Sequence, residues 1–265
     1  MTATHINKWF DLLEASCTQL AITCLDIIID QSGSDMPLLP GVLSVEPAMP
    51  WHSLFTGLPE EEHDDVAPLL VRIDLARPMQ RQWLIGLMRE LGARDLLLVL
   101  ASLWPFPLLA RHLGRCVEAT NGGYTALLRY YDPRLFPLLF SHVLQPEQQQ
   151  PWLRPAVFWS WLDRDGAPIR LVGSADTPII EEHFTPVELS DSQVDIFSCA
   201  SEAIVLVQDL PPGPSTEQRF QTCFAALLEA SAAGVLVDTE REALALVKLR
   251  NAELGWTQAG QPSHD

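Results

Sequence analysis

Apolar residues at Ile6, Trp9, Phe10 and Leu13 recur at helical spacing and predict an amphipathic helix over 5–17. The pattern then changes. Leu20–Ile29 is a continuous apolar run rich in β-branched residues, as a strand buried on both faces requires. Residues 30–65 carry Gly, Pro, Ser and the acidic run Glu60–Asp65, and read as a long connection with at most a short helix. Leu69–Asp74 predicts a second strand. Pro78 opens a helix that runs to Leu91, with Gly92 as its stop. Leu96–Leu100 predicts a third strand, followed by a helix over Pro105–Gly114.

Hairpin signals come next. Asn121-Gly122-Gly123 separates the strand-like runs Cys116–Thr120 and Tyr124–Tyr131, and Asn-Gly tolerates the positive φ that tight turns need. Asp132 is placed to cap a helix, with Pro133 at its first position, running to Val143. Val157–Leu162 and Ile169–Val172 form a second predicted hairpin around Asp163-Arg164-Asp165-Gly166.

Beyond about residue 185 the pattern becomes helical. Ser190 with Gln193, Ser215 with Gln218 and Thr239 with Glu242 each fit a capping box, so three helices are expected. Phe220, Phe224, Leu227 and Leu228 line one face of the second; Leu244, Val247 and Leu249 crowd one side of the third. The predicted class is α+β, or mixed α/β. An N-terminal lobe (1–185) holds a mixed β-sheet covered by helices. A small three-helix lobe (186–256) and a flexible tail (257–265) follow.

Composition narrows the partners. With 17 Lys+Arg against 34 Asp+Glu the chain carries a net charge of −17, which disfavours nucleic acid and anionic membranes. Such a charge suits a basic protein partner, or serves solubility alone. Five cysteines, none spaced Cys-x-x-Cys, read as reduced, buried thiols. The first residues lack the pattern of a signal peptide and no apolar run is long enough to span a bilayer, so a cytoplasmic location is expected.

No familiar catalytic signature is present: neither a Gly-x-Ser-x-Gly elbow, a phosphate loop, His-Glu-x-x-His nor Gly-x-Gly-x-x-Gly. No catalytic residue, cofactor or metal site is therefore expected. His63-Asp64-Asp65 reads as a solvated loop, because neighbouring residues rarely converge on one cation. Asp163–Gly166 lacks the later ligands of a calcium loop and reads as a turn. His112 lies on a predicted helix with no nucleophile to place beside it. The junction of Arg129, Tyr130, Tyr131, Asp132, Pro133 and Arg134 is the sharpest feature. Its arginines either grip an anionic substrate or tie down the strand end while Asp132 caps the helix; the structural role is preferred. Tyr130, Trp159 and Trp161 are the candidate partner-binding aromatics, the two tryptophans sharing one face of their strand.

The set Arg129-Tyr130-Tyr131-Asp132-Pro133-Arg134, preceded by Arg111-His112-Leu113 and Asn121-Gly122-Gly123, resembles the type VI secretion effector adaptors. These chaperones, called Tap or TEC proteins, were long classed as a domain of unknown function. Asp26 in the first strand, Leu54–Leu58, Ala67–Val71, Pro155–Trp161, and Ala232–Val235 with Thr239-Glu240 are similar to further pieces of that family, over residues 18–256. The resemblance implies a non-enzymatic cytoplasmic protein that binds a cognate effector and helps load it onto the valine-glycine-repeat spike protein, VgrG. It also implies that Arg129, Tyr131, Asp132, Pro133 and Arg134 shape the fold. Partner contact is then expected on exposed apolar and acidic surface. Two alternatives remain: an immunity-type inhibitor of a basic toxin, and a hydrolase using the Arg129/Asp132 junction.

Overall fold

The computed structural model describes residues 3–34, 37–63, 65–179, 184–211, 213 and 215–259. The first helix, α1 (Ala3–Gln19), buries Ile6, Trp9, Phe10, Leu13 and Cys17 along one stripe. It ends in a paired-bond C-cap. Ala21 adopts φ 53°, its N–H donates to Thr18 O (3.2 Å), and Ile22 N–H donates to Cys17 O (2.9 Å). That turn uses up the residues expected to begin the first strand, so β1 is only Cys24–Ile29.

The connection after β1 holds a short helix, α2 (Leu39–Leu43), and an unforeseen three-residue strand, β2 (Trp51–Ser53). Strand β3 (Leu69–Asp74) and helix α3 (Pro78–Leu91) match their predicted bounds, and Gly92 caps α3. Then come β4 (Leu97–Ser102), α4 (Phe106–Arg115), β5 (Glu118–Asn121) and β6 (Tyr124–Leu127). The β5–β6 turn is Gly122-Gly123, with φ of 54° and 85°, and Asn121 pairs with Tyr124 across it. The turn thus falls one residue later than Asn-Gly suggests, because two glycines supply both positive φ values.

After β6 the chain leaves the sheet at Leu128, so no strand reaches Tyr131. A turn over 133–135 leads into α5 (Phe136–Leu138) and a π-helical turn, Leu139–Val143, in place of one continuous helix from Pro133. Helix α6 (Gln150–Leu153), β7 (Ala156–Leu162), β8 (Pro168–Val172) and β9 (Val187–Glu188) complete this part.

The large sheet runs β2-β3-β1-β4-β7-β8, and every pairing in it is antiparallel. This corrects the expected mixed sheet. Strands joined through α3 would lie side by side and parallel if adjacent, but β1 sits between β3 and β4 and is antiparallel to both. A parallel pair occurs in the small sheet, β6-β5-β9, between β5 and β9.

Alternation along β1 sorts the core. Leu25, Ile27 and Ile29 join Leu69, Val71, Ile73, Val99 and Phe158 under the apolar stripes of α1 and α3. The residues between them face the other way. Asp26 stands opposite Arg72 on β3 and Leu100 on β4, and Leu100 stands opposite Trp159 on β7.

Contacts divide the chain between Leu189 and Ser190. The second unit contains α7 (Asp191–Gln208), α8 (Thr216–Ala232) and α9 (Asp238–Ala259). Ser190 and Gln193 form a complete capping box, and the Ser215 hydroxyl accepts from Gln218 N–H. Thr239 caps nothing: α9 already begins at Asp238, with Val237 O accepting from Glu240 and Arg241 N–H (3.0 Å each). Phe220 and Phe224 stack at 5.5 Å inside the unit. On α9, Leu249 is buried while Leu244 and Val247 are exposed, so these three do not share one packed side. The helix extends past residue 256, and residues 260–265 of the expected tail lie outside the described residues.

Candidate functional site

The polar junction sits at the end of the sheet where β1 finishes. Asp30, the next residue, is 2% exposed and accepts from Ser32 N–H (3.0 Å) and Ser32 Oγ (2.7 Å). Its second oxygen accepts from Arg129 Nη2 at 2.8 Å, and Arg129 also donates to Ser32 Oγ at 2.9 Å. The guanidinium lies 5.8 Å from the centre of the Tyr131 ring. Burial opposes the charge on Arg129, but Asp30 outweighs it and holds the guanidinium above its ordinary value. Asp132 takes the other arginine. Its two oxygens accept from Arg134 Nε (3.0 Å) and Nη2 (2.8 Å), and one also accepts from Arg134 N–H (2.9 Å). The carbonyl of Asp132 accepts from Leu135 and Phe136 N–H, which starts the turn that becomes α5. Buried Pro133 lies inside this turn rather than at a helix start.

The two arginines therefore serve two different carboxylates, and the partner of Arg129 is a residue that sequence reasoning did not single out. Asp30 followed two residues later by serine is the local mark of such a turn, but it falls 99 positions before Arg129. Asp95 adjoins the same network. Burial pushes it up to about 6, with Arg134 and Arg164 pulling the other way.

Tyr130, Trp159 and Trp161 must be reassigned. Their exposures are 0%, 0% and 6%, so none presents surface to a partner. Their neighbour is the chain itself. Phe136 packs 4.8 Å from Trp159 and 5.4 Å from Trp161 between ring centres, and Trp159 Nε1 donates to Trp152 O (2.8 Å). Tyr130 leans on Trp152 at 5.8 Å and its hydroxyl donates to Leu113 O (3.0 Å). The apolar dock expected on β7 exists, and the segment 130–152 fills it.

His112 is packed between Trp104 (5.1 Å) and Phe184 (5.8 Å), and its Nε2–H donates to Pro151 O (2.6 Å). None of these contacts belongs to the 129–134 junction. Asp163 behaves as a turn residue, one oxygen accepting from Asp165 N–H (3.0 Å) and Ala167 N–H (2.7 Å). Of His63-Asp64-Asp65, Asp64 lies outside the described residues. Among the described residues no group of three His, Cys, Asp or Glu side chains could hold a metal ion, and no helix is long and apolar enough to cross a membrane. All five cysteines are free, and four are buried.

The surface feature that sequence reasoning missed is a cleft of about 800 Å³ between β2, the turn after it and α4. Trp51, His52 and Phe106 supply apolar and aromatic lining; Arg111, Arg115 and Glu118 supply charge. Burial lowers His52 below its ordinary value and favours the neutral ring. One lining residue reaches into the core: Phe106 carries the Arg72 guanidinium 5.5 Å from its ring centre. Arg72 in turn forks onto the fully buried Asp26 (2.7 and 2.8 Å) and donates to Trp104 O (3.0 Å). Burial pushes Asp26 up to about 6 even with that guanidinium beside it.

Comparison with known proteins finds a likeness over one part of the chain. No curated protein and no solved structure matches. Residues 27–150, from β1 to the start of α6 and including the cleft-lining part of α4 and the Arg129–Arg134 junction, match the family model described as Domain of unknown function (DUF4123).

Proposed function

We propose that this chain is a non-catalytic adaptor that binds a type VI secretion effector in the cytoplasm and helps place it on the VgrG spike protein. The match of residues 27–150 carries the reading, because that domain is known in type VI effector adaptors, the proteins the motif set resembles. The junction supports it chemically. Arg129 is engaged by Asp30 and ties this segment to the end of β1, while Arg134 is engaged by Asp132 within the segment, so both charges serve the fold rather than waiting for a substrate. The net charge of −17 favours a second reading, an inhibitor that covers a basic toxin.

Co-expression of the tagged chain with the products of the adjoining genes separates these readings. An adaptor retains an effector and a spike fragment and leaves the effector's toxicity intact once bound. An inhibitor abolishes toxicity and retains no spike. Retention of neither protein, with both soluble, contradicts the proposal.

A further inference from the structure

We propose that the cleft between β2 and α4 takes an extended acidic segment of a partner protein, with carboxylates at alternate positions. The inference rests on the reading that this chain holds another protein. Arg111 and Arg115 are exposed, one helical turn apart on α4, and neither is paired with a carboxylate among the described residues. Arg72, Arg81, Arg129, Arg134 and Arg241 grip acids, whereas Arg111 and Arg115, like Arg89 and Arg250, have no carboxylate partner among the described residues; what sets Arg111 and Arg115 apart is that they line one cleft together. Glu118 is the one carboxylate in the lining, and Glu61 borders it through Gly57 N–H (3.1 Å), so the positive charge is confined to the α4 wall, where Arg111 and Arg115 stand.

Spacing selects the ligand. Side chains four apart on a helix begin about 5–6 Å apart. Alternate residues of an extended chain advance about 6.6 Å on one side. An extended acidic segment therefore meets both guanidiniums in register. Its intervening side chains turn the other way, towards Trp51 on β2. A second cleft of about 260 Å³ shares Trp51, His52 and Thr56 with the first but is lined by Glu61, so the carboxylates of the segment belong at the α4 end and its apolar residues along β2. A free phosphate fits less well. Arg115 is the last residue of α4, where no unpaired backbone N–H groups await a phosphate oxygen, and a free phosphate leaves the apolar wall at Trp51 unused.

The test uses the full chain and a fluorescein-labelled 12-residue peptide alternating Glu with Leu and Phe, read by anisotropy. A peptide with Lys in place of Glu is the control, and inorganic phosphate is the competitor. The Glu peptide is expected to bind at least tenfold more tightly than the Lys peptide, to weaken as salt rises, and to lose at least tenfold with Arg111→Ala/Arg115→Ala. Thermal melting of that variant must match the wild type; if it does not, Arg111→Gln/Arg115→Gln replaces it. Equal binding of the two peptides, undiminished binding by the variant, or complete displacement by millimolar phosphate overturns the inference. The same variant in the co-expression experiment keeps the two claims apart. If the wild type retains an effector and the variant retains it equally, the cleft is not the site and the adaptor reading stands. If the Glu peptide binds as expected but no effector is retained, the cleft stands and the adaptor reading falls.

Discussion

Replacing Asp26 by Leu removes the carboxylate beneath the Arg72 guanidinium and leaves that cation facing an apolar neighbour. Asp26 is 0% exposed and Arg72 17%, and the pair is bidentate at 2.7 and 2.8 Å. Breaking a buried pair from one side costs about 3–5 kcal/mol. Arg72 retains Trp104 O, the Phe106 ring and some solvent, which places Asp26→Leu at the low end, about 3 kcal/mol. Arg72→Met leaves the opposite problem. Burial already pushes Asp26 up to about 6, so without the guanidinium it takes up a proton at neutral pH and the cost is about 2–3 kcal/mol. The double variant, Asp26→Leu with Arg72→Met, leaves no stranded charge. Its cost reduces to the donor lost by Trp104 O and imperfect packing, about 1–2 kcal/mol. Urea unfolding followed by tryptophan fluorescence measures all three. Seven of the eight tryptophans precede Ser190, so the signal reports the sheet-containing unit. The reasoning is refuted if the double variant loses as much as the two single losses added, or if Asp26→Leu costs under about 1 kcal/mol at unchanged m-value.

Two other perturbations test neighbouring parts. Asp95 rises from an ordinary value near 4 to about 6 on folding. Between those values only the folded state holds the proton, so its contribution to stability falls as pH rises from about 4 to 6 and stays lost above. Asp95 is half-buried with φ 54°, a conformation Asn also adopts, so Asp95→Asn should stabilise by about 1–2 kcal/mol at pH 7.5 and by almost nothing at pH 4. A stability gain that does not depend on pH contradicts this account. Gly173 is pinned by N–H donation to Val157 O (3.0 Å), and a Cβ there would stand 2.7 Å from Leu153 O and closer still to Ala156 O. Both are backbone atoms that cannot turn aside, so Gly173→Ala should cost about 3 kcal/mol; an unchanged melting curve would show that the 153–156 backbone yields.

What the sequence reveals, and what it conceals, follows from how local each cause is. Strand β3 and helix α3 are readable to the residue because Pro78 and Gly92 punctuate the chain and Leu69, Leu70, Val71 and Ile73 make a short apolar run. Strand β1 begins late because Ala21 accepts a left-handed conformation usually left to glycine. Strand β2 is three residues long and exists only through pairing with β3, some twenty positions away, so no local pattern marks it. Alternation of strands and helices cannot tell that β1 inserts between β3 and β4, which is why the sheet is antiparallel rather than mixed. The junction residues were legible as a polar set, but the Asp30 partner was not. The tryptophans of β7 were legible as a large apolar face, while the segment that covers them, 130–152, is recognisable only once folded. The cleft escapes for the same reason, since Trp51 and Arg115 come from separate segments.

The central claim, that this chain acts by holding another protein, is tested most directly by the mass of what it forms. Light scattering during size exclusion of the chain co-expressed with the adjoining effector should give a single species whose mass is the sum of whole copies of the two. Elution of the chain alone at its own 29.5 kDa, or at a multiple of it, with the effector in a separate peak, would contradict the claim.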